Sequence, residues 1–213
     1  MKKIAIVGAG GFGREVKMLI DDINEKNKQF EIVGFYDDKE YENNINGLPY
    51  LGELKKINDV DYSLNIAVAV GNPKIKKKII ENIRNKNIEF PNLIHPSVIM
   101  GKDDVKIGKG NIICAGTIIT VNIEIEDFVI FNLSCTIGHD SKIKKYSSFM
   151  PTVNISGEVT INNGVYVGTG AKIINRLEIG ENTIIGAGAV VSKNLPTNCT
   201  AVGIPAKPIK FHE

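Results

Sequence analysis

The chain has 213 residues, 43% of them hydrophobic, which is room for one large domain or two small ones with buried cores. Twenty-six Lys and Arg against 24 Asp and Glu leave a net charge of +2, so no overall field draws in nucleic acid or an anionic membrane. Cys114, Cys135 and Cys199 are an odd, widely spaced set without a CxxC pair, which argues against a zinc ribbon or redox motif and for reduced thiols in the cytoplasm.

In chain order, the pattern predicts a strand at Lys3 to Val7, a helix from Phe12 to Asn24, a strand at Glu31 to Tyr36 and a short helix near Glu53 to Ile57. A strand at Leu64 to Val70 and a helix from Pro73 to Lys86 follow. Strands alternating with helices indicate a small parallel α/β sheet over residues 1–93, one Rossmann-like half. Its first loop, Gly8 to Gly13, follows a strand and opens a helix, so the amides at Gly8, Gly10, Gly11, Phe12 and Gly13 are placed to receive phosphates. Asp37 or Asp38 would meet a ribose or sugar hydroxyl, or else be a solvated strand end, and Gly71 and Asn72 would close over the base. A hydride-transfer enzyme is the rival reading, but fewer than a hundred residues hold only one mononucleotide half. Four lysines between Lys74 and Lys78 read as a solvated helix face.

Beyond Ile94 the helical period disappears. Every sixth residue from Ile107 to Val191, fifteen positions without an insertion, is Ile, Val or Phe, and four residues after each comes a smaller inward position such as Thr117, Cys135, Ser147 or Ala171. Neither a helix of period 3.6 nor a strand of period 2 produces this. A triangular β-helix does, with three hexads to a coil of eighteen residues, over residues 94–198. Residues 199–213 are left as a C-terminal tail, with His212 incidental in it, and His95 shapes the junction between the two halves.

Inside the repeat stands one histidine, His139, two residues after the inward Ile137 and therefore outward at a corner. Imidazole suits a general base near neutral pH, and Asp140 is beside it to orient the ring. Gly157, eighteen residues on, holds the same place one coil away, where a bare amide could face an oxyanion. The alternative is a polar corner residue above a turn glycine.

The motifs GAGGFG at Gly8 to Gly13, YDD at Tyr36 to Asp38, AVGN at Ala69 to Asn72, LIHPS at Leu93 to Ser97, GHD at Gly138 to Asp140 and VGIPAK at Val202 to Lys207 together span nearly the whole chain. In this order the chain resembles the sialic-acid O-acetyltransferase and bacillosamine-pathway (UDP-4-amino-sugar) N-acetyltransferase family. The resemblance implies a left-handed β-helix, a homotrimer with sites between neighbouring prisms, and acetyl-CoA as donor without a metal. It implies His139 as base, Asp140 as its carboxylate neighbour, Asn132 as a supporting polar group and the Gly157 amide as donor to the acetyl carbonyl. It places the pantetheine arm along Gly168, Gly170 and Ala171 and along Gly186, Ala187 and Gly188, with Lys207 and Lys210 near the coenzyme phosphates. Two positions depart from the pattern: Ser148 stands where a coenzyme-contacting histidine is found, and Phe12 replaces a histidine of the glycine loop.

The expected activity is acetyl transfer to the amine of a nucleotide-linked amino sugar in glycan synthesis, in the cytoplasm, with no nucleic-acid or membrane partner. Transfer to a sugar hydroxyl is the alternative, and a non-catalytic nucleotide-binding scaffold is the alternative of another class. A zinc lyase on the same prism would need three histidine ligands, and the repeats hold one.

Overall fold

The computed structural model describes residues 1–212. The N-terminal half is a five-stranded, wholly parallel sheet of β1 (Lys2–Val7), β2 (Phe30–Tyr36), β3 (Tyr50–Gly52), β4 (Leu64–Val68) and β5 (Ile88–Glu89), in the order β3-β2-β1-β4-β5. Helices α1 (Gly11–Lys26) and α2 (Pro73–Asn82) are the crossovers, and a 3-10 helix runs over Leu54–Asp59. The central strand β1 is buried from Ile4 to Val7 and α1 buries Val16, Leu19, Ile20 and Ile23 against it, a helical spacing that explains why this segment forms and docks. Sequence patterning missed β3 and β5, which are too short to show a period, and the segment near Glu53 is a 3-10 turn.

The second half is a parallel β-helix. Its first face stacks rungs downward from Leu93–Ile94 through Ile112–Ile113, Ile130–Phe131, Ser148–Phe149, Tyr166–Val167 and Ile184–Ile185. The second runs from Ile99–Met100 through Ile118–Ile119, Thr136–Ile137, Asn154–Ile155 and Lys172–Ile173 to Val190–Val191. The third runs from Val105–Ile107 to Glu178–Ile179. From Ile107 onward the inward residues form one continuous core, with the Phe131 and Phe149 rings stacked at 4.8 Å. The smaller inward positions Thr117, Cys135, Ser141, Ser147, Ala171, Thr183 and Ala189 are buried with them. Glycine recurs after the inward aliphatics because neighbouring coils touch there: a Cβ on Gly138 would lie 2.5 Å from the Gly157 nitrogen.

The end of the chain differs from expectation. Cys199–Gly203 is the next rung of the first face, pairing Thr200 with Ile184, and Ala206–Phe211 returns antiparallel beside it. His212 is held against it, its Nε2 2.9 Å from Thr200 Oγ1. The six-residue count lapses after Val191, where Leu195 and Ala201 become the buried positions, so the period stops signalling a rung that is nevertheless built.

The two halves pack as one body. Helix α1 lies between the sheet and the first face, its apolar side sharing a cluster with Leu93, Ile112, Cys114 and Ile130. At the junction His95 Nε2 donates to Asp22 of α1 at 3.1 Å, while Nδ1 receives the Ser97 amide at 3.0 Å. From α2, Lys76 crosses to the prism and donates to Ser148 Oγ at 2.8 Å and the Ser147 carbonyl at 3.3 Å. Three of the four helix lysines follow the solvated reading. Lys76 does not, being 1% exposed, and burial pulls its amine well below the usual lysine range.

Candidate active site

His139 follows the Thr136–Ile137 rung at the corner between the second and third faces. Its Nδ1 lies 2.7 Å from Asp140 Oδ2. Facing a carboxylate, Nδ1 carries the hydrogen, which leaves the Nε2 lone pair free to accept a proton. Asp140 takes a left-handed conformation, φ 57°, which aspartate tolerates and which turns its carboxylate back to the ring. Asn122 Nδ2 donates to the other carboxylate oxygen at 3.1 Å. The His139 hydrogen bond, then that of Asn122, holds the Asp140 carboxyl below its ordinary range. Asn122 was not singled out from the sequence, although the signal was there: it precedes Asp140 by one coil of eighteen residues.

Gly157 lies directly against the imidazole. A Cβ there would stand 2.5 Å from His139 Nε2 and 2.6 Å from Cε1, so any side chain would displace the ring. The adjacent peptide donates from Glu158 to the His139 carbonyl at 2.7 Å, whereas the Gly157 N–H makes no hydrogen bond among the described residues. That freedom follows from its place in the hexad, since amides two residues past the inward aliphatic lie outside the ladder that joins successive coils. A proton acceptor and a free donor therefore share one ledge, the pairing that acyl transfer to an amine or hydroxyl requires.

The remaining candidates separate. Asn132 stands one corner earlier, between the first and second faces, nearly buried with its Oδ1 accepting the Leu133 amide at 2.7 Å. On that same corner lie Gly168, Gly170, Gly186, Ala187 and Gly188. A Cβ on Gly188 would touch nothing within 4 Å and one on Gly170 only Thr152 Oγ1 at 3.8 Å, which leaves these two open to an extended chain, whereas one on Gly168 or Gly186 would meet the next coil within 3 Å. Two expected coenzyme contacts are corrected. Ala171 occupies a smaller inward position and is fully buried in the prism core. Ser148 is fully buried beneath Lys76 and presents nothing to a ligand. Lys207 and Lys210 are exposed on the returning strand.

In the glycine loop, Gly8 has φ 95° and Gly13 packs so closely on the Gly8 carbonyl that no side chain fits, while Gly10 and Gly11 face open space. Phe12 is half-buried at the start of α1. Asp37 clamps this loop: its Oδ2 accepts the Ala9 amide at 2.7 Å and its Oδ1 the Lys39 amide at 2.9 Å. Asp38 Oδ1 accepts the Leu54 amide at 3.1 Å. Gly71 and Asn72 line a cavity of about 400 Å³ between the sheet and the prism, bordered by Met150, Tyr166 and Ile184. No cluster of three or more metal-ligating side chains occurs among the described residues.

Residues 3–83 match the PglD N-terminal domain and residues 158–193 the bacterial transferase hexapeptide repeats. Over 99% of the chain and 97% of the relative, the sequence is 32% identical to GDP-perosamine N-acetyltransferase of Escherichia coli O157:H7. The chain belongs to this hexapeptide-repeat acetyltransferase family. Among solved structures, the acetyltransferase domain of PglB from Neisseria gonorrhoeae superposes with a TM-score of 0.89 at 30% identity, covering 98% of this chain and 100% of that one. A histidine mutant of perosamine N-acetyltransferase from Caulobacter crescentus, in complex with CoA and GDP-perosamine, superposes with a TM-score of 0.85 at 26% identity, covering 99% and 98%. As an acetyltransferase of this family, the chain is an enzyme whose fold joins the two halves that the spacing of its motifs implied.

Proposed function

We propose that this protein transfers the acetyl group of acetyl-CoA to the amine of a nucleotide-linked amino sugar, with His139 as general base. The observation that carries the reading is the ledge where His139 Nε2 lies against Gly157, whose amide is unused. As the sugar nitrogen bonds to the thioester carbon, Nε2 takes the nitrogen's proton and the Gly157 amide donates to the developing oxyanion; the carbon–sulfur bond then breaks and the proton returns to the leaving thiolate. Asp140 steadies the imidazolium in between. The relatives' activity on GDP-perosamine supports an amine over a hydroxyl as acceptor.

The site is completed by association. His139 and the open glycine strip occupy the two corners flanking the second face, so no single chain brings them together. The first face carries the α/β half, and the third presents Lys106, Glu124, Lys142, Thr160 and Glu178 outward. The second exposes Ile99 at 63% and Ile118 at 37%, followed by Thr136, Asn154, Lys172 and Val190, and is the least charged face left free for burial. Three prisms turning this face inward would set the His139 corner of one against the strip of the next, a homotrimer with a site in each groove.

The test is thiol release from acetyl-CoA with UDP-, dTDP- and GDP-linked amino sugars. One should be turned over by the native enzyme, and His139→Ala should lose about 10²–10⁴-fold in rate while keeping its oligomeric state. Near-native turnover by His139→Ala would end the assignment of the base.

A further inference from the structure

At the third corner of the prism, between the third and first faces, the position three residues past each inward aliphatic forms a vertical ladder: Gly110, Phe128, Tyr146, Gly164, Asn182 and Asn198. All take positive φ, from 54° to 69°. Phe90 meets Phe128 edge-on at 5.1 Å, and Phe128 and Tyr146 stack at 5.8 Å with their planes 6° apart. The aromatic column then stops at Gly164, leaving the Tyr146 ring without an aromatic neighbour on its far side. Asn182 is the next side chain below, two rungs and ~10 Å from Tyr146 at the strand spacing.

Backbone conformation does not demand this glycine, because Phe128 and Tyr146 adopt the same φ. Nor does packing demand it as it does at Gly110, where a Cβ would run 2.5 Å into the Phe128 ring; at Gly164 it would meet only the flexible end of Asn182, at 2.7 Å. The gap is a cavity of about 160 Å³ lined by Tyr146, Gly164, Asn163 and Asn182 and rimmed by Lys74, Lys77 and Lys145, with Glu181 the sole acid. The lysines are loosely held. Lys77 sits 6.0 Å over the Tyr146 ring and 4.0 Å from Glu81, Lys145 lies 3.5 Å from Asp127, and Lys74 makes no ion pair among the described residues. The cavity shares Pro73, Lys74, Gly164 and Asn182 with the larger one that reaches Gly71 and Asn72.

We propose that this slot binds a nucleotide, its base stacked on Tyr146 in the place a third ring of the ladder would fill and its phosphates met by Lys74, Lys77 and Lys145. An aromatic face accepts any base, and cations beside it select for phosphate. Two sources share this chemistry, the nucleotide of the sugar substrate and the adenosine 3′,5′-bisphosphate end of CoA. The proposal rests on the acetyltransferase reading only for these probes.

Calorimetry on the full chain with GDP, UDP and adenosine 3′,5′-bisphosphate decides it. At least one should bind, with affinity falling as salt rises. Gly164→Phe should extend the ladder, melt no lower than the native protein, and bind that probe at least tenfold more weakly. The double variant Lys74→Ala and Lys77→Ala should weaken it comparably and flatten the salt dependence, which keeps the test decisive if Gly164→Phe misfolds. Failure of every probe to bind the native protein, or native affinity in either folded variant, overturns the slot. Because thiol release is assayed separately, such a failure is distinguishable from failure of acetyl transfer. A response confined to GDP or UDP assigns the slot to the sugar nucleotide, and one confined to the bisphosphate assigns it to the coenzyme.

Discussion

Replacing Gly157 by alanine would place a methyl carbon 2.5 Å from His139 Nε2. The backbone there needs no glycine for its dihedrals, so the variant should melt close to the native temperature yet lose about 10²-fold or more in kcat as the imidazole is pushed aside. Steady-state rates beside a thermal melt would check this. Asp140→Asn keeps a residue that accepts the left-handed conformation but removes the anion that favours the imidazolium. The acid limb of its kcat/KM profile should move to lower pH and kcat should fall, both read from a pH series. The carboxyl is held below its ordinary range, so its stabilising contribution is present above that range and is lost as pH falls through the lower folded value. That His139, Asp140 and Gly157 lie together was legible because an eighteen-residue repeat converts sequence separation into spatial adjacency. Ser148 was not, since no local pattern reveals that a lysine seventy-two positions earlier covers it.

Between elements, the bond from α2 to the first face carries its own signature. Lys76 is buried with two neutral partners, and its amine is pulled far below the ordinary lysine value by desolvation alone. A group with that shift binds fewer protons folded than unfolded, so stability rises as pH climbs from the lowered folded value toward the ordinary lysine range. Lys76→Met, similar in length and without the charge cost, should therefore melt higher than the native protein at neutral pH, and the gap should narrow toward pH 10. A constant gap across a melting series would contradict this account. Helix periodicity located α2 but assigned all its lysines to water. The pattern cannot see a partner that the prism supplies from the sequence of another domain. The two-residue strands β5 and Leu93–Ile94 were invisible for a simpler reason: they hold too few residues to express any period.

For the assembled molecule, a site shared between neighbours predicts complementation. His139→Ala and Ala187→Trp alter different corners, so each should be inactive by itself. Refolded together they should regain a fraction of the native rate, since some grooves in mixed trimers join two unaltered corners. Absence of recovery, with mixed trimers demonstrated by mass, would place the whole site within one chain. Ile118→Lys should abolish both the trimer and turnover, seen by sedimentation and thiol release. The fold class was readable from fifteen aliphatics at a spacing of six, whereas the hairpin that ends the chain was not, because Leu195 and Ala201 depart from that count.

Amides lying outside the ladder recur at most corners of the prism, Pro151 being an exception, and only one stands beneath the His139 imidazole. Chemistry in such a scaffold is thus a matter of address. A histidine moved by one full winding, with an orienting acid after it and a bare residue below, would find the same surroundings a storey lower, and the acyl donor would need only to slide along its shaft to meet it.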